Sequence, residues 1–195
     1  MAYKIIIDPG HGGSDPGATY NGRQEKDDAL RMAMAVGDLL KNAGFDVVYT
    51  RTTDVYNTPF EKATIGNEAG GDLFVSFHRN SSPTPNTYGG VQALVYNDSG
   101  FKGTLARNIN ENLVALGFED KGVVERPNLV VLKRTKMPAV LLELGFINSD
   151  KDNQLFDEKF NEIAQAIADG IIDTLNSNGI TASQMSRYTV QVGAF

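Results

Sequence analysis

The stretch "YKIIIDPGHGGSDPGA", residues 3–18, decides how the rest of the chain is read. Its three consecutive isoleucines are β-branched and form a run too short for a helix, so residues 4–8 are read as a buried strand. Asp8-Pro9-Gly10 ends that strand sharply, since proline cannot donate to a sheet ladder and glycine takes turn geometries that other residues avoid. His11, one of only two histidines in 195 residues, follows at once among glycines. In an open α/β sheet, functional groups collect just past the carboxyl ends of the strands, which is where this histidine falls.

The remaining chain alternates short apolar runs with longer amphipathic ones. Strands are predicted over residues 45–50, 72–78, 90–96, 128–132 and 139–146, and helices over 23–43, 59–69, 104–116 and 158–175. Thr58-Pro59 supplies a cap followed by a proline suited to a first helical turn, and Gly44 and Gly70-Gly71 supply stops. Strands alternating with helices argue for an α/β fold: one domain, with a largely parallel, twisted sheet of about six strands covered by helices on both faces. That domain spans residues 1–175. Residues 176–187 are polar, lack an apolar period and read as a linker, and "YTVQVGAF" (residues 188–195) reads as the first strand of a further module.

Composition narrows the function. A net charge of −6 and no prominent run of like charges argue against nucleic acid or an anionic membrane as a partner. The absence of cysteine excludes disulfides and thiolate metal sites. No apolar run approaches the roughly 18 residues of a membrane span, and the start of the chain lacks the pattern of a signal peptide. The oligomeric state is not set by the sequence.

His11 after the first strand and His78 at the end of the third reach the same sheet edge if those strands are parallel neighbours. Two imidazoles and a carboxylate make a complete protein ligand set for a catalytic zinc ion. With no third histidine, the third ligand must be acidic: Asp8, Asp15, Glu25 and Glu143 are all candidates, and chemistry alone does not choose. Glu143 interrupts "AVLLELGF", where a buried charge is costly unless paired. It either meets a cation such as Arg51 or Lys133, or serves as a general base beside a metal site.

The motifs "IIIDPGHGGSDPGA", "GRQEK", "TRTTD", "GNEAGGDLFVSFHRN" and "MPAVLLELGFINSDKD" occur in the order found in the zinc-dependent N-acetylmuramoyl-L-alanine amidases of the amidase-3 type, and the chain resembles that family over about residues 4–175. The family is found in bacterial autolysins and phage endolysins. The resemblance implies one zinc ion held by His11, Glu25 and His78, with Glu143 catalytic. It also implies peptidoglycan as substrate and action at the cell wall, after export or phage release. Asn80 matches a position close to the metal, where it would orient substrate or cap its own loop. Arg79 stands where alanine is common and would present a cation to substrate or solvent, and Lys62 replaces a usual arginine, which removes bidentate carboxylate pairing there. The loop over residues 80–90 would line a wall of an open cleft. The terminal strand is similar to the start of a sporulation-related peptidoglycan-binding repeat. A zinc peptidase cutting within the stem peptide and a wall-binding module that does not cut are the alternatives.

Overall fold

A computed structural model describes residues 2–182. The elements in chain order are β1 (Lys4–Pro9), β2 (Thr19–Tyr20), β3 (Arg23–Gln24), α1 (Glu25–Asn42), β4 (Asp46–Tyr49), α2 (Pro59–Glu68), β5 (Leu73–Asn80), β6 (Val91–Val95), α3 (Gly100–Val114), β7 (Asp120–Glu125), α4 (Val130–Lys133), β8 (Ala139–Phe146), α5 (Asp150–Glu158) and α6 (Phe160–Ser177). Six strands form one sheet in the order β4-β1-β5-β8-β6-β7, and β2 and β3 make a small separate hairpin. The pairs β4/β1, β1/β5, β5/β8 and β6/β7 are parallel, whereas β6 runs antiparallel to β8. This is the largely parallel α/β sheet that the alternating pattern predicts.

Side chains alternate across the sheet, and the two faces are covered unequally. Ile5 and Ile7 join a large core with Leu73, Val75, Val140 and Leu142, closed over by apolar residues of α1, α3 and α6. Ile6 points the other way, into a smaller core with Phe74, Leu94, Ala139, Leu141 and the α4 residues Val131 and Leu132. On this thin side, Gly66 of α2 lets the helix close against Phe74 and Ile6: a Cβ there would stand 3.0 Å from the Phe74 ring. Helix α2 starts with a complete capping box, Thr58 to Glu61 and back, with Pro59 in its first turn.

Several elements differ from the sequence reading: the β2/β3 hairpin and α5 are additions, and one expected strand is replaced by another. Residues 128–132 contribute no strand; Val130–Lys133 form a single helical turn instead. An apolar run of four, Leu129 to Leu132, does not separate strand from helix by periodicity, and here the adjacent Val131 and Leu132 are both buried, as on a helix face. The sixth strand is β7, whose sequence "DKGVVE" carries charges at both ends and hides its strand character, as edge strands do. Helix α6 continues to Ser177, and Ile180 and Ala182 pack against the larger core, so the polar segment begins with residues that touch the domain. The remainder of the linker and the strand expected over 188–195 lie outside the described residues. No helix among the described residues is long and apolar enough to cross a membrane.

The thin-side stripe turns polar as it nears the carboxyl edge. Asp8, two residues beyond Ile6, is fully buried and accepts hydrogen bonds from Thr50 Oγ1 and Ser76 Oγ, each at 2.6 Å. Lys62 reaches from α2 to within 3.2 Å of Asp8 Oδ1 and also donates to the carbonyls of Pro9 and His11. Removing one member of a buried ion pair strands the other. Lys62→Met is therefore expected to lower the unfolding free energy by about 3–5 kcal/mol in denaturant titrations. Combining it with Asp8→Asn should restore most of that loss, because the double variant leaves no unpaired buried charge.

Candidate metal centre

The loop after β1 is shaped for close approach. His11 itself has φ 59°, a left-handed conformation rare outside glycine, and it holds this shape within a framework of hydrogen bonds. Arg51, buried at the end of β4, donates to the carbonyl of Gly10 at 2.8 Å and to that of Pro9 at 3.3 Å. Together with Lys62, it fixes three successive carbonyls, Pro9, Gly10 and His11. Gly10 and Gly17 are required by space: a Cβ on Gly10 would lie 2.5 Å from the His78 ring, and one on Gly17 would lie 2.6 Å from Glu25 Oε2.

His11, Glu25 and His78 converge there. Glu25 Oε1 lies 3.0 Å from His11 Nε2 and 2.9 Å from His78 Nδ1, and one ligating atom of each residue falls within 4.8 Å of the others. Glu25 opens α1 and is buried, its Oε2 accepting from the Ala18 amide at 2.9 Å and its Oε1 from the Arg79 amide at 3.1 Å. His78 ends the thin-side stripe Phe74-Ser76-His78 of β5. Among the four acidic candidates, Glu25 is the one grouped with both histidines. Asp15 instead contacts His11 Nδ1 at 2.8 Å, as a carboxylate does behind a metal-bound imidazole. Asp8 is taken up by Thr50, Ser76 and Lys62.

The donor chemistry fits zinc. A His11 proton held on Nδ1 by Asp15 leaves a lone pair on Nε2 facing the Glu25 carboxylate, a contact that requires a cation or a proton between them. Tetrahedral bonds of about 2.0–2.1 Å place neighbouring ligand atoms about 3.3 Å apart, close to the spacing seen here. Burial opposes charge on His11, but Glu25 and Asp15 outweigh it and raise its pKa. Burial also opposes charge on Glu25, yet the two imidazoles hold its carboxyl well below the usual carboxylate range. Glu25 is thus held as a carboxylate between the two imidazoles.

Glu143 follows Ala139 and Leu141 on the same stripe of β8 and is in register with His78. Its Oε2 is buried with no hydrogen-bond partner among the described residues. Burial pushes its pKa up to about 7, with Glu25 adding to the rise and His78 opposing it. Neither cation considered as its partner reaches it: Arg51 is committed to backbone carbonyls, and Lys133 is exposed on α4. Beside these groups lies a cavity of about 260 Å³, walled by Asn57, Pro59 and Lys62 on one side and Asn128–Val131 on the other. The loop over 80–90 does not line it; that loop is tied to Asn148, Asp150 and Asp152 through Ser82, Asn86 and Gly90.

Two neighbours of His78 behave differently. Arg79 presents no cation to solvent or substrate: its side chain is 1% exposed, pairs with Asp28 at 2.7 Å and lies over the Phe156 ring at 4.4 Å. The physical reason is strand alternation, which sends residue 79 to the face opposite residue 78. Asn80 follows a register shift at the end of β5, and its Oδ1 accepts from the Ser81 amide at 2.9 Å, capping its own loop. Sequence reasoning missed Arg51 as a holder of the His11 loop; its place at the end of a strand sharing the same sheet edge was the available signal.

A family model for N-acetylmuramoyl-L-alanine amidases, Amidase_3, matches residues 5–173. The sporulation-specific N-acetylmuramoyl-L-alanine amidase of Bacillus subtilis strain 168 is 37% identical, over 98% of this chain and 75% of its own length. The endolysin of Bacillus phage SPP1 is 34% identical, over 90% of this chain and 67% of its own. The crystal structure of N-acetylmuramoyl-L-alanine amidase from Clostridium difficile 630 superposes with a TM-score of 0.84 at 34% identity, covering 90% of this chain and 98% of that one. With this sheet, this constellation at its edge and these matches, the chain belongs to the Amidase_3 family of N-acetylmuramoyl-L-alanine amidases, hydrolases of cell-wall peptidoglycan.

Proposed function

We propose that the chain cleaves the amide between N-acetylmuramic acid and the L-alanine of the stem peptide with one zinc ion held by His11, Glu25 and His78, and with Glu143 moving the proton. The observation that carries this reading is the unpartnered, buried Glu143 Oε2 beside a His-Glu-His donor set. A zinc ion bound there supplies Lewis acidity toward the amide carbonyl and a lowered pKa for water.

The chain's own residues do the rest. Asp15 fixes the His11 ring by its Nδ1 proton, and the Ala18 and Arg79 amides fix the Glu25 carboxylate. Glu143, in register with His78, takes a proton at Oε2 as water attacks and returns it to the leaving amine nitrogen of L-alanine. A pKa poised near neutrality suits a group that must both accept and give a proton. The apolar wall of Leu129, Val130 and Leu141 excludes water from one side of the scissile bond. Asn80 is kept as a contact for substrate on the far side of His78. In this reading the catalytic domain continues beyond residue 175 to include Ile180 and Ala182, and residues 188–195 begin a wall-binding module.

Digestion of purified peptidoglycan should release stem peptides bearing a free L-alanine amine, seen by mass spectrometry, and chelation followed by zinc addition should abolish and restore that release. Peptides cut internally would indicate a peptidase. Glu143→Gln is expected to keep full zinc content while kcat falls about 10²–10⁴-fold. Gly10→Ala, whose new Cβ meets the His78 ring, should remain folded by circular dichroism yet bind zinc at least about tenfold more weakly.

The pKa of Glu143 sets a further expectation for the chelator-treated protein. A folded value of about 7 against an ordinary 4.5 means that the folded state holds the proton more tightly. The stabilisation is complete below pH 4.5 and is lost as pH rises toward 7. Relative to Glu143→Gln, the wild-type chain should lose about 3 kcal/mol across that window in denaturant titrations, with no further change above it.

A further inference from the structure

The charges of the molecule are not evenly matched. Among the described residues, the exposed or half-buried cations outside one region each meet a partner: Lys4, Arg23, Lys26, Arg31, Lys41, Arg107, Lys121 and Lys151 contact carboxylates, and Lys159 donates to the Leu116 carbonyl. Lys102, Arg126, Lys133, Arg134 and Lys136 have no carboxylate within 4.0 Å. These five come from three separate stretches of sequence, which is why no run of like charges announces them. They gather at one place, around the start of α3, the end of β7 and the segment that follows α4. A chain of net charge −6 with acids available elsewhere leaves its unpaired cations here.

Three of them, Lys102, Lys133 and Lys136, line a groove of about 440 Å³ that Tyr96, Phe101 and Met137 also line. Helix α3 begins at that groove, and Ser99 does not cap the helix, its hydroxyl turning to Asn97 Oδ1 at 2.8 Å. The groove also has a fixed relation to the metal centre. Ala139 lines it, Leu141 lines the catalytic cavity, and both belong to the thin-side stripe that ends in Glu143. Four residues of strand separate Ala139 from Glu143, about 13 Å. The two cavities thus flank α4 on one face of the sheet.

We propose that this groove is a second, non-catalytic binding site for an anionic polymer of the cell wall whose charges are phosphodiester groups. Its source rests on the reading of the chain as a wall hydrolase. Phosphate is favoured over carboxylate because the lining cations are all lysines, compact point charges that hold phosphate without the planar fork that matches a carboxylate. The uncapped helix start at the groove favours the same ligand. Occupying the groove anchors the enzyme to wall material while the neighbouring cavity engages the amide.

The test titrates the full chain with short-chain inorganic polyphosphate. Saturable binding is expected, with log Kd rising against log salt with a slope of about 2 for the three neutralised lysines. Lys133→Ala/Lys136→Ala should weaken binding about thirtyfold and reduce the slope by about 1.4. A control, Lys121→Ala/Lys151→Ala, removes cations already paired with Glu119 and should bind as the wild type does. Both variants should cleave peptidoglycan stripped of phosphate polymers at the wild-type rate. Absent binding, or equal loss in the control, overturns the site. Tighter binding of poly-L-glutamate overturns the phosphate assignment, and tighter binding of oligothymidylate overturns the wall polymer in favour of nucleic acid stacked on the aromatic lining. A wild-type chain that binds polyphosphate but fails to release stem peptides counts against the catalytic reading alone.

Discussion

Everything at the catalytic edge depends on how three consecutive carbonyls are held. Pro9, Gly10 and His11 turn out of the central strand in a conformation that leaves their oxygens without sheet partners, and Lys62 and Arg51 supply the donors. Neither cation is free to sit there alone in a dry interior. Asp8 balances Lys62, and Thr50 and Ser76 satisfy Asp8 in turn, so side chains from β1, the end of β4, α2 and β5 close one network. The left-handed backbone at His11 is sustained by this network, and the imidazole is aimed as a result. A lysine serves well in place of an arginine here because its task is to reach two carbonyls and one carboxylate oxygen, none of which asks for a planar fork.

The unequal cover of the sheet is the second condition. Three large helices bury one face completely, while α2 and the single turn of α4 cover the other. Along β1, β5 and β8 the thin-side stripe runs from apolar to polar: Ile6 to Asp8, Phe74 through Ser76 to His78, Ala139 through Leu141 to Glu143. Period-two geometry therefore builds the site and its apolar support from the same rows of side chains. The same geometry disposes of Arg79, whose neighbour His78 faces His11 and Glu25 but whose guanidinium becomes part of the opposite core beside Asp28 and Phe156.

The sequence made the central strands legible because β-branched runs such as "KIII" leave few alternatives, and it made His11 and His78 legible because strand ends are where such residues act. It could not choose the third acidic residue. Glu25 is 14 residues from His11 and 53 from His78, and only the return of the chain through the β2/β3 hairpin into α1 brings them together. Family motifs pointed to it; spacing did not. The strand expected at 128–132 is absent because four apolar residues suit one helical turn, two of them buried, equally well. Strand β7 escaped notice because edge strands carry charge. The place of Arg79 follows from the face that its strand position dictates, and a comparison of residue types at one position does not carry that information.

One topological detail has a wider effect. Because β6 and β7 run against the other four strands, their connections leave the sheet at the edge away from the His11, Glu25 and His78 cluster. The crossing from β6 to α3 is thereby kept out of the catalytic mouth, whereas the crossing from β7 returns over the thin face and gives Asn128 and Leu129 to one wall of the cavity. An enzyme that works on a mesh larger than itself has no use for a closed chamber. Two strands turned end for end keep one long crossing, that into α3, clear of the mouth, so a cross-linked lattice meets one wall fewer there than a uniformly parallel sheet would raise.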